Sequence, residues 1–312
     1  MLRRIPPVER AAAVSAVGVS ALLTTVKFLA YALTGSAAVF SDALESVVNV
    51  AASGFALYAV ALAHEPADDR HPYGHGKIEF LAAIFEGGLI LAAALAVLWN
   101  ALATAWAGTP LVRPGWGLLL IAATSLVNLV VGGLLVRVGR RCGSLALEAD
   151  GWHLLTDVVT SLAVLASLSL VWWTGQRWID WAVALLIGGY LLSTAWRLIR
   201  RGAAGVMDEQ DDDDDALIRS ILDRHLAGPG RPGVCSYHKL RHRHQGRLHW
   251  VDFHLCVPAG LSVHDGHELA GAVEGEIERA LGHADATAHV EPCPGCHRCS
   301  PADIPGSASA SR

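Results

Sequence analysis

The chain has 312 residues, of which 53% are hydrophobic and only 17% charged, and its mean hydropathy is +0.39. A soluble domain carries about 25% charged residues, so this composition argues against a single water-soluble globule. A net charge of −5 and a pI near 6.3 lack the basic footprint of a nucleic-acid binder, whose domain pI lies above about 9. Six apolar stretches follow in chain order, at roughly 11–34, 37–63, 80–107, 116–138, 145–174 and 178–199. Each reaches the roughly 20 residues needed to cross about 30 Å of hydrocarbon. The first is too long for a cleavable secretory signal and leads directly into the second after Gly35-Ser36.

Lysine and arginine divide unevenly between the two sets of loops. Arg3, Arg4, Arg10, Arg70, Lys77, Arg137, Arg140, Arg141, Arg197, Arg200 and Arg201 fall on one side, against Arg113 and Arg177 on the other. The positive-inside rule therefore places both termini and the 64–77 loop in the cytoplasm. Lys27, inside the first stretch, reads either as a snorkelling side chain or as the partner of an interior carboxylate.

After Arg201 the composition changes. Gly202 to Gly205 read as a small-residue hinge and Asp211 to Asp215 as a hydrated acidic run that caps the next helix. A helix is expected near 214–226, strands near 234–243 and 247–257, a helix over 263–281 and a strand near 286–291. In the second strand Val251, Phe253, Leu255 and Val257 alternate with Trp250, Asp252, His254 and Cys256, the period of a half-buried strand. The fold class is thus a six-helix membrane bundle followed by a small α+β unit of order αββαβ, with helices on one face of a three-stranded sheet. The expected domains are 1–208, 209–292 and a flexible tail, 293–312, containing Cys293, Cys296, His297 and Cys299. The six cysteines make no disulfide framework, because three of them crowd this tail. The tail reads either as an accessory hook for a soft ion or as a set of reduced thiols.

Ionisable groups at membrane depth are costly, so each is a candidate functional residue. The second stretch holds Asp42, Glu45 and Asn49, and the fifth holds Glu148, Asp150, His153 and Asp157. Glu45 with Asn49, and His153 with Asp157, share the i, i+4 spacing that puts both members on one helix face. Four such donors on two helices can enclose a tetrahedral site for Zn²⁺ or a related transition ion; the competing reading is helix–helix hydrogen bonding. Asp42 and Asp150 line the route, and Asn100 and Asn128 are expected to join helices by hydrogen bonds. In the loop after the second stretch, Asp68, His71 and His75 supply three metal-competent side chains, with Gly74 and Gly76 letting the backbone bend.

The strings SDALESVVNV, PADDRHPYGHGKIE and HLLTD make the chain resemble the cation diffusion facilitator family over about residues 8–292. The resemblance implies a homodimer in the inner or plasma membrane that exchanges a divalent metal for protons by alternating access, with no organic cofactor and no nucleic-acid partner. It implies a transport site of Glu45, Asn49, His153 and Asp157 and a loop site of Asp68, His71 and His75. In the soluble domain it implies metal binding by His238, His254, His267, His289 and Glu291 near a dimer contact. His242, His244, His249, His264 and His283 read instead as a solvated surface. Family members often have Asp or His at the first transport position and Asp at the second, so Glu45 and Asn49 depart from the pattern. Asn49 offers an oxygen donor that cannot carry a transported proton, which leaves Zn²⁺ as first choice with Fe²⁺, Mn²⁺, Co²⁺ and Ni²⁺ open. No covalent step is required, so the chain is not expected to be an enzyme: an intramembrane metalloprotease would need a motif such as HExxH. A membrane-anchored metal sensor or storage protein is the alternative, and interior ligand pairs count against it.

Overall fold

The computed structural model describes residues 2–34, 37–107, 116–176, 178–227 and 233–293; within them some side chains, including those at 37–45 and at Asn100, are not among those described. Among the described residues, six long helices come first: α1 (Pro7–Thr34), α2 (Ala37–Ala63), α3 (Ile78–Ala107), α4 (Trp116–Cys142), α5 (Leu145–Thr174) and α6 (Trp178–Val206). They pack most extensively as α3 on α6, α4 on α5 and α1 on α2. Segments of α1, α2, α3, α4 and α6 are long and apolar enough to cross a membrane. α5 is equally long, but its first half carries Glu148, Asp150, His153 and Asp157. Its polar groups are turned inward: Asp150 and His153 are 1% and 5% exposed. Sequence and packing agree on the starts of α5 and its stop, where Ser144 accepts from the Leu147 amide and Gly175 closes the helix at φ 72°.

The expected hinge at Gly202–Gly205 is instead the last turn of α6. A Cβ on Gly202 would stand 2.6 Å from Ile84 Cγ1 and 2.7 Å from the Phe80 carbonyl oxygen, and Gly205 lies against the Phe80 ring. The small residues let α6 approach α3 closely, which is why the helix runs seven residues past the expected end at 199.

The chain divides into two compact units, one ending at Val206 and the other beginning at Met207. The second comprises α7 (Asp212–Arg224), β1 (Ser236–Gln245), β2 (Leu248–Pro258), α8 (Val263–Leu281) and β3 (Ala284–Cys293). The sheet order is β1-β2-β3, with β1 and β2 antiparallel and β2 and β3 parallel, so α8 is the crossover. Ile218, Ile221 and Leu222 form one stripe of α7 and pack with Ala270, Val273 and Ile277 of α8 against Val251, Phe253 and Leu255. Both helices therefore cover the same face of the sheet, as the strand alternation requires. Asp211 caps α7, accepting from the amides of Asp213 and Asp214.

Candidate metal sites

α2 and α5 bring Asn49, His153 and Asp157 together. The Asn49 amide nitrogen donates to Asp157 Oδ2 at 2.7 Å, and the Asn49 amide oxygen lies 3.0 Å from His153 Nε2. Asn49 and His153 are buried, at 8% and 5% exposure. Glu45 precedes Asn49 by one helical turn on α2, but its side chain, like that of Asp42, lies outside the described residues. One turn before His153, Asp150 accepts a 2.8 Å hydrogen bond from Ser53 of α2. Glu86 of α3, fully buried, presents Oε2 3.7 Å from His153 Nδ1. Sequence reasoning passed over Glu86. Its signal was plain, a lone carboxylate in the middle of a long apolar helix, where the cost of burial already marks an ionisable group.

Glu148 has a different environment. It pairs with Arg140 of α4 and Arg201 of α6, each at 3.1 Å, and accepts from the Trp152 indole at 3.4 Å. These contacts make it a clamp among three helix ends rather than a member of the polar group around His153. Lys27 is buried on α1, and Asn128 is buried on α4; Asn100's side chain lies outside the described residues.

The loop 64–77 gathers its three candidate ligands closely. Asp68 Oδ1 accepts from the backbone amides of Arg70 and His71 at 2.9 and 2.7 Å, which turns the chain back on itself. His71 Nδ1 is 3.1 Å from Asp68 and 3.1 Å from His75 Nε2, and the rings are 4.5 Å apart. Gly74 makes this possible at φ 87°, a conformation L side chains rarely adopt. The His71 backbone amide, followed by the other donors, holds the Asp68 carboxyl below its ordinary range, which favours its charged form.

On the sheet face away from the helices, His238, His254 and His289 stand side by side across the three strands. Glu291 reaches back to them, 3.0 Å from His238 Nε2 and 3.4 Å from His254 Nδ1. Burial would raise the Glu291 carboxyl, but hydrogen bonds from His254 and Cys256 and the neighbouring imidazoles outweigh it and hold it below the usual range. His289 is exposed, with its ring 4.6 Å from that of His254. His267, exposed on α8, borders the same depression as Glu291 and Val290. Cys256, not among the expected site residues, joins this group: its sulfur is 3.4 Å from Glu291 and 3.7 Å from His238.

The solvated surface expected of five other histidines holds for His264 and His283, which are exposed. It fails for His242 and His249, each 3% exposed. His249 shares the parity of Val251 and Phe253, so alternation already put it on the helix-facing side. His242 joins it because the bulge between His238 and Arg241, with Lys239 at φ 52°, changes the phase of β1. In the tail, Cys293 ends β3, while Cys296, His297 and Cys299 lie outside the described residues.

Comparison with known proteins is consistent along the chain. Residues 13–205 match the cation efflux transmembrane domain, and residues 214–293 match the cytoplasmic domain of cation efflux proteins. An uncharacterized transporter of Synechocystis is 36% identical over 280 residues, covering 90% of this chain and 89% of its own. The cation-efflux pump FieF of Escherichia coli strain K12 is 31% identical over 282 residues, covering 90% and 92%. A solved structure of the zinc transporter candidate CzrB is 28% identical, covering 27% of this chain and 99% of its own, with a TM-score of 0.25.

Proposed function

The chain belongs to the cation diffusion facilitator family of integral membrane transporters, and from that premise we propose that it exports a divalent transition-metal ion from the cytoplasm in exchange for protons. Zn²⁺ is the first choice of substrate, with Fe²⁺, Mn²⁺, Co²⁺ and Ni²⁺ as alternatives. The working unit is a homodimer in the inner or plasma membrane, with both termini in the cytoplasm. The observation that carries this reading is the closed chain of donors Asp157–Asn49–His153 between α2 and α5, with Glu86 behind the imidazole.

The chemistry of that chain supports proton coupling. An ionised Asp157 can only accept, so the Asn49 NH₂ faces it and the amide oxygen faces His153. That oxygen also only accepts, so the imidazole proton sits on Nε2. A cation bound through Nε2 displaces that proton to Nδ1 or off the ring, so metal and proton compete for the same nitrogen. Glu86, facing Nδ1, orients the ring and offers a place for a proton on its far side. Asp157 supplies negative charge and Asn49 a neutral oxygen, with Glu45 the remaining ligand one turn earlier. The loop cluster of Asp68, His71 and His75 collects the ion on the cytoplasmic side. His238, His254, His267, His289 and Glu291 bind metal in the soluble domain and favour the transport-competent dimer.

The test is Zn²⁺ flux by the full-length protein in proteoliposomes under an imposed pH gradient. Flux falls to the level of empty liposomes in His153→Ala and Asp157→Ala. Wild-type flux in either variant overturns the site, and wild-type protein that binds Zn²⁺ without moving it is a sensor rather than a transporter.

A further inference from the structure

The helix-facing side of the β1–β2 hairpin carries a second group of donors, distinct from the His238–His254–Glu291 cluster on the opposite face. His244 Nε2 is 3.0 Å and His249 Nδ1 3.5 Å from the same oxygen, Asp214 Oδ2, in the first turn of α7. The two rings are 4.0 Å apart. Metal–ligand bonds of about 2.0–2.1 Å at a tetrahedral angle separate neighbouring ligand atoms by roughly 3.3 Å, and the two distances bracket that value. We propose that Asp214, His244 and His249 form a transition-metal site, best matched to Zn²⁺, that ties the start of α7 to the β1–β2 hairpin within one protomer.

A chain of hydrogen-bonding groups behind the three ligands supports this assignment. His249 Nε2 is 3.0 Å from His242 Nδ1, and His242 Nε2 points onward to Asp215 Oδ1 at 3.9 Å. With Nδ1 of His249 on the ion, its Nε2–H donates to His242 Nδ1, and the remaining His242 proton faces the Asp215 carboxylate. Imidazole ligands are commonly backed by such a partner, which sets the tautomer and the ring plane. The His242 side chain has no exposed surface, and its Nε2 makes no hydrogen bond.

Charge and protonation favour a cation here. Burial, followed by the neighbouring imidazole of His244, pushes His249 down to about 4, and burial likewise lowers His242. Burial thus favours the neutral form of His249, the form that ligates. The positive end of α7 would oppose a cation, but Asp211 caps its amides and Asp212 to Asp215 fill its first turn. Arg219 occupies the Asp215 Oδ2 oxygen at 2.6 Å, leaving Oδ1 toward His242. Two imidazoles and one carboxylate are a borderline donor set that suits Zn²⁺, with water in the fourth position. Arg243, between His242 and His244 in sequence, pairs with Asp208 at 3.3 Å, so the same hairpin also holds the segment leading into α7.

The site stands apart from the transport reading and is tested without flux. Full-length protein in detergent is titrated with Zn²⁺, and bound metal and hydrogen exchange are measured together. The expected result is slower exchange across 211–216 and 242–250 on adding Zn²⁺, and one ion fewer per protomer in Asp214→Asn and in His244→Gln. His244→Gln retains a hydrogen-bonding group toward Asp214 without an imidazole, and it is read against its own metal-free exchange pattern. His242→Asn keeps the stoichiometry but weakens this ion's binding by about tenfold or more. Variants that bind as many ions as wild type, or wild-type protein with no Zn²⁺-dependent protection over 211–216 and 242–250, overturn the proposal.

Discussion

At the scale of single residues, Asn49 is the informative departure. Its amide satisfies both neighbours at once, donating to Asp157 and facing His153. Asn49→Asp would place two carboxylates at that 2.7 Å contact, where like charges repel until a cation or proton separates them. A competition assay between Zn²⁺, Fe²⁺ and Mn²⁺ in vesicles should therefore show a changed ion preference in Asn49→Asp. An unchanged ranking would remove Asn49 from the selectivity determinants. Glu86 faces the ring of His153, with Oε2 3.7 Å from Nδ1. Glu86→Gln should lower transport-site Zn²⁺ affinity by about 10–100-fold while leaving the ligands in place, as isothermal titration on a background lacking His71, His75, His238, His254, His244 and His249 would show.

At the scale of elements, helix approach controls where those side chains stand. Gly151 of α5 faces Gly132 and Val136 of α4, and a Cβ there would lie 2.7 Å from the Val136 nitrogen and 2.8 Å from the Gly132 oxygen. Because backbone cannot yield as a side-chain tip can, Gly151→Val should push α5 off α4 and displace His153, two residues on. The expected loss is about 1–3 kcal/mol, seen as a lower melting temperature in detergent together with reduced flux. In the soluble unit, Glu276 of α8 joins Arg224 and His225 at the end of α7, at 2.5 and 2.8 Å. Arg224 first, then His225, holds this carboxyl at about 2, against an ordinary 4.5. The unfolded chain takes up the proton near 4.5, so the contribution is whole above that pH and is lost as pH falls toward 2. It is small, about 0.2–1 kcal/mol, because the pair is solvent-accessible. Exchange at the α7–α8 contact should be faster in Glu276→Gln at pH 7, and the difference from wild type should shrink below pH 4.

At the scale of the whole molecule, the distribution of Lys and Arg sets an expectation for topology. Eleven cationic residues against two favour one orientation, and a green fluorescent protein fused to the C-terminus should fluoresce. An active alkaline phosphatase at the same position would reverse the assignment. The two-unit organisation was legible because apolar helices and an amphipathic αββαβ pattern leave unlike signatures in composition. The Gly202–Gly205 stretch was misread for a related reason: composition does not distinguish small residues that loosen a chain from small residues that admit a neighbouring helix. Only α3, 120 residues away in sequence, makes the difference.

Hydrophobic period and side-chain chemistry are local properties, so the chain alone determined its six apolar helices, its three strands, the ligand-bearing loop and the i, i+4 pairing of His153 with Asp157. Which distant groups meet is decided by packing. Tertiary structure brought Asn49 between His153 and Asp157, set Glu86 behind the imidazole, and diverted Glu148 to Arg140 and Arg201. It also turned His242 inward beside His249, toward the acidic start of α7, because a bulge in β1 and the seat of α7 on the sheet cannot be read from either segment in isolation.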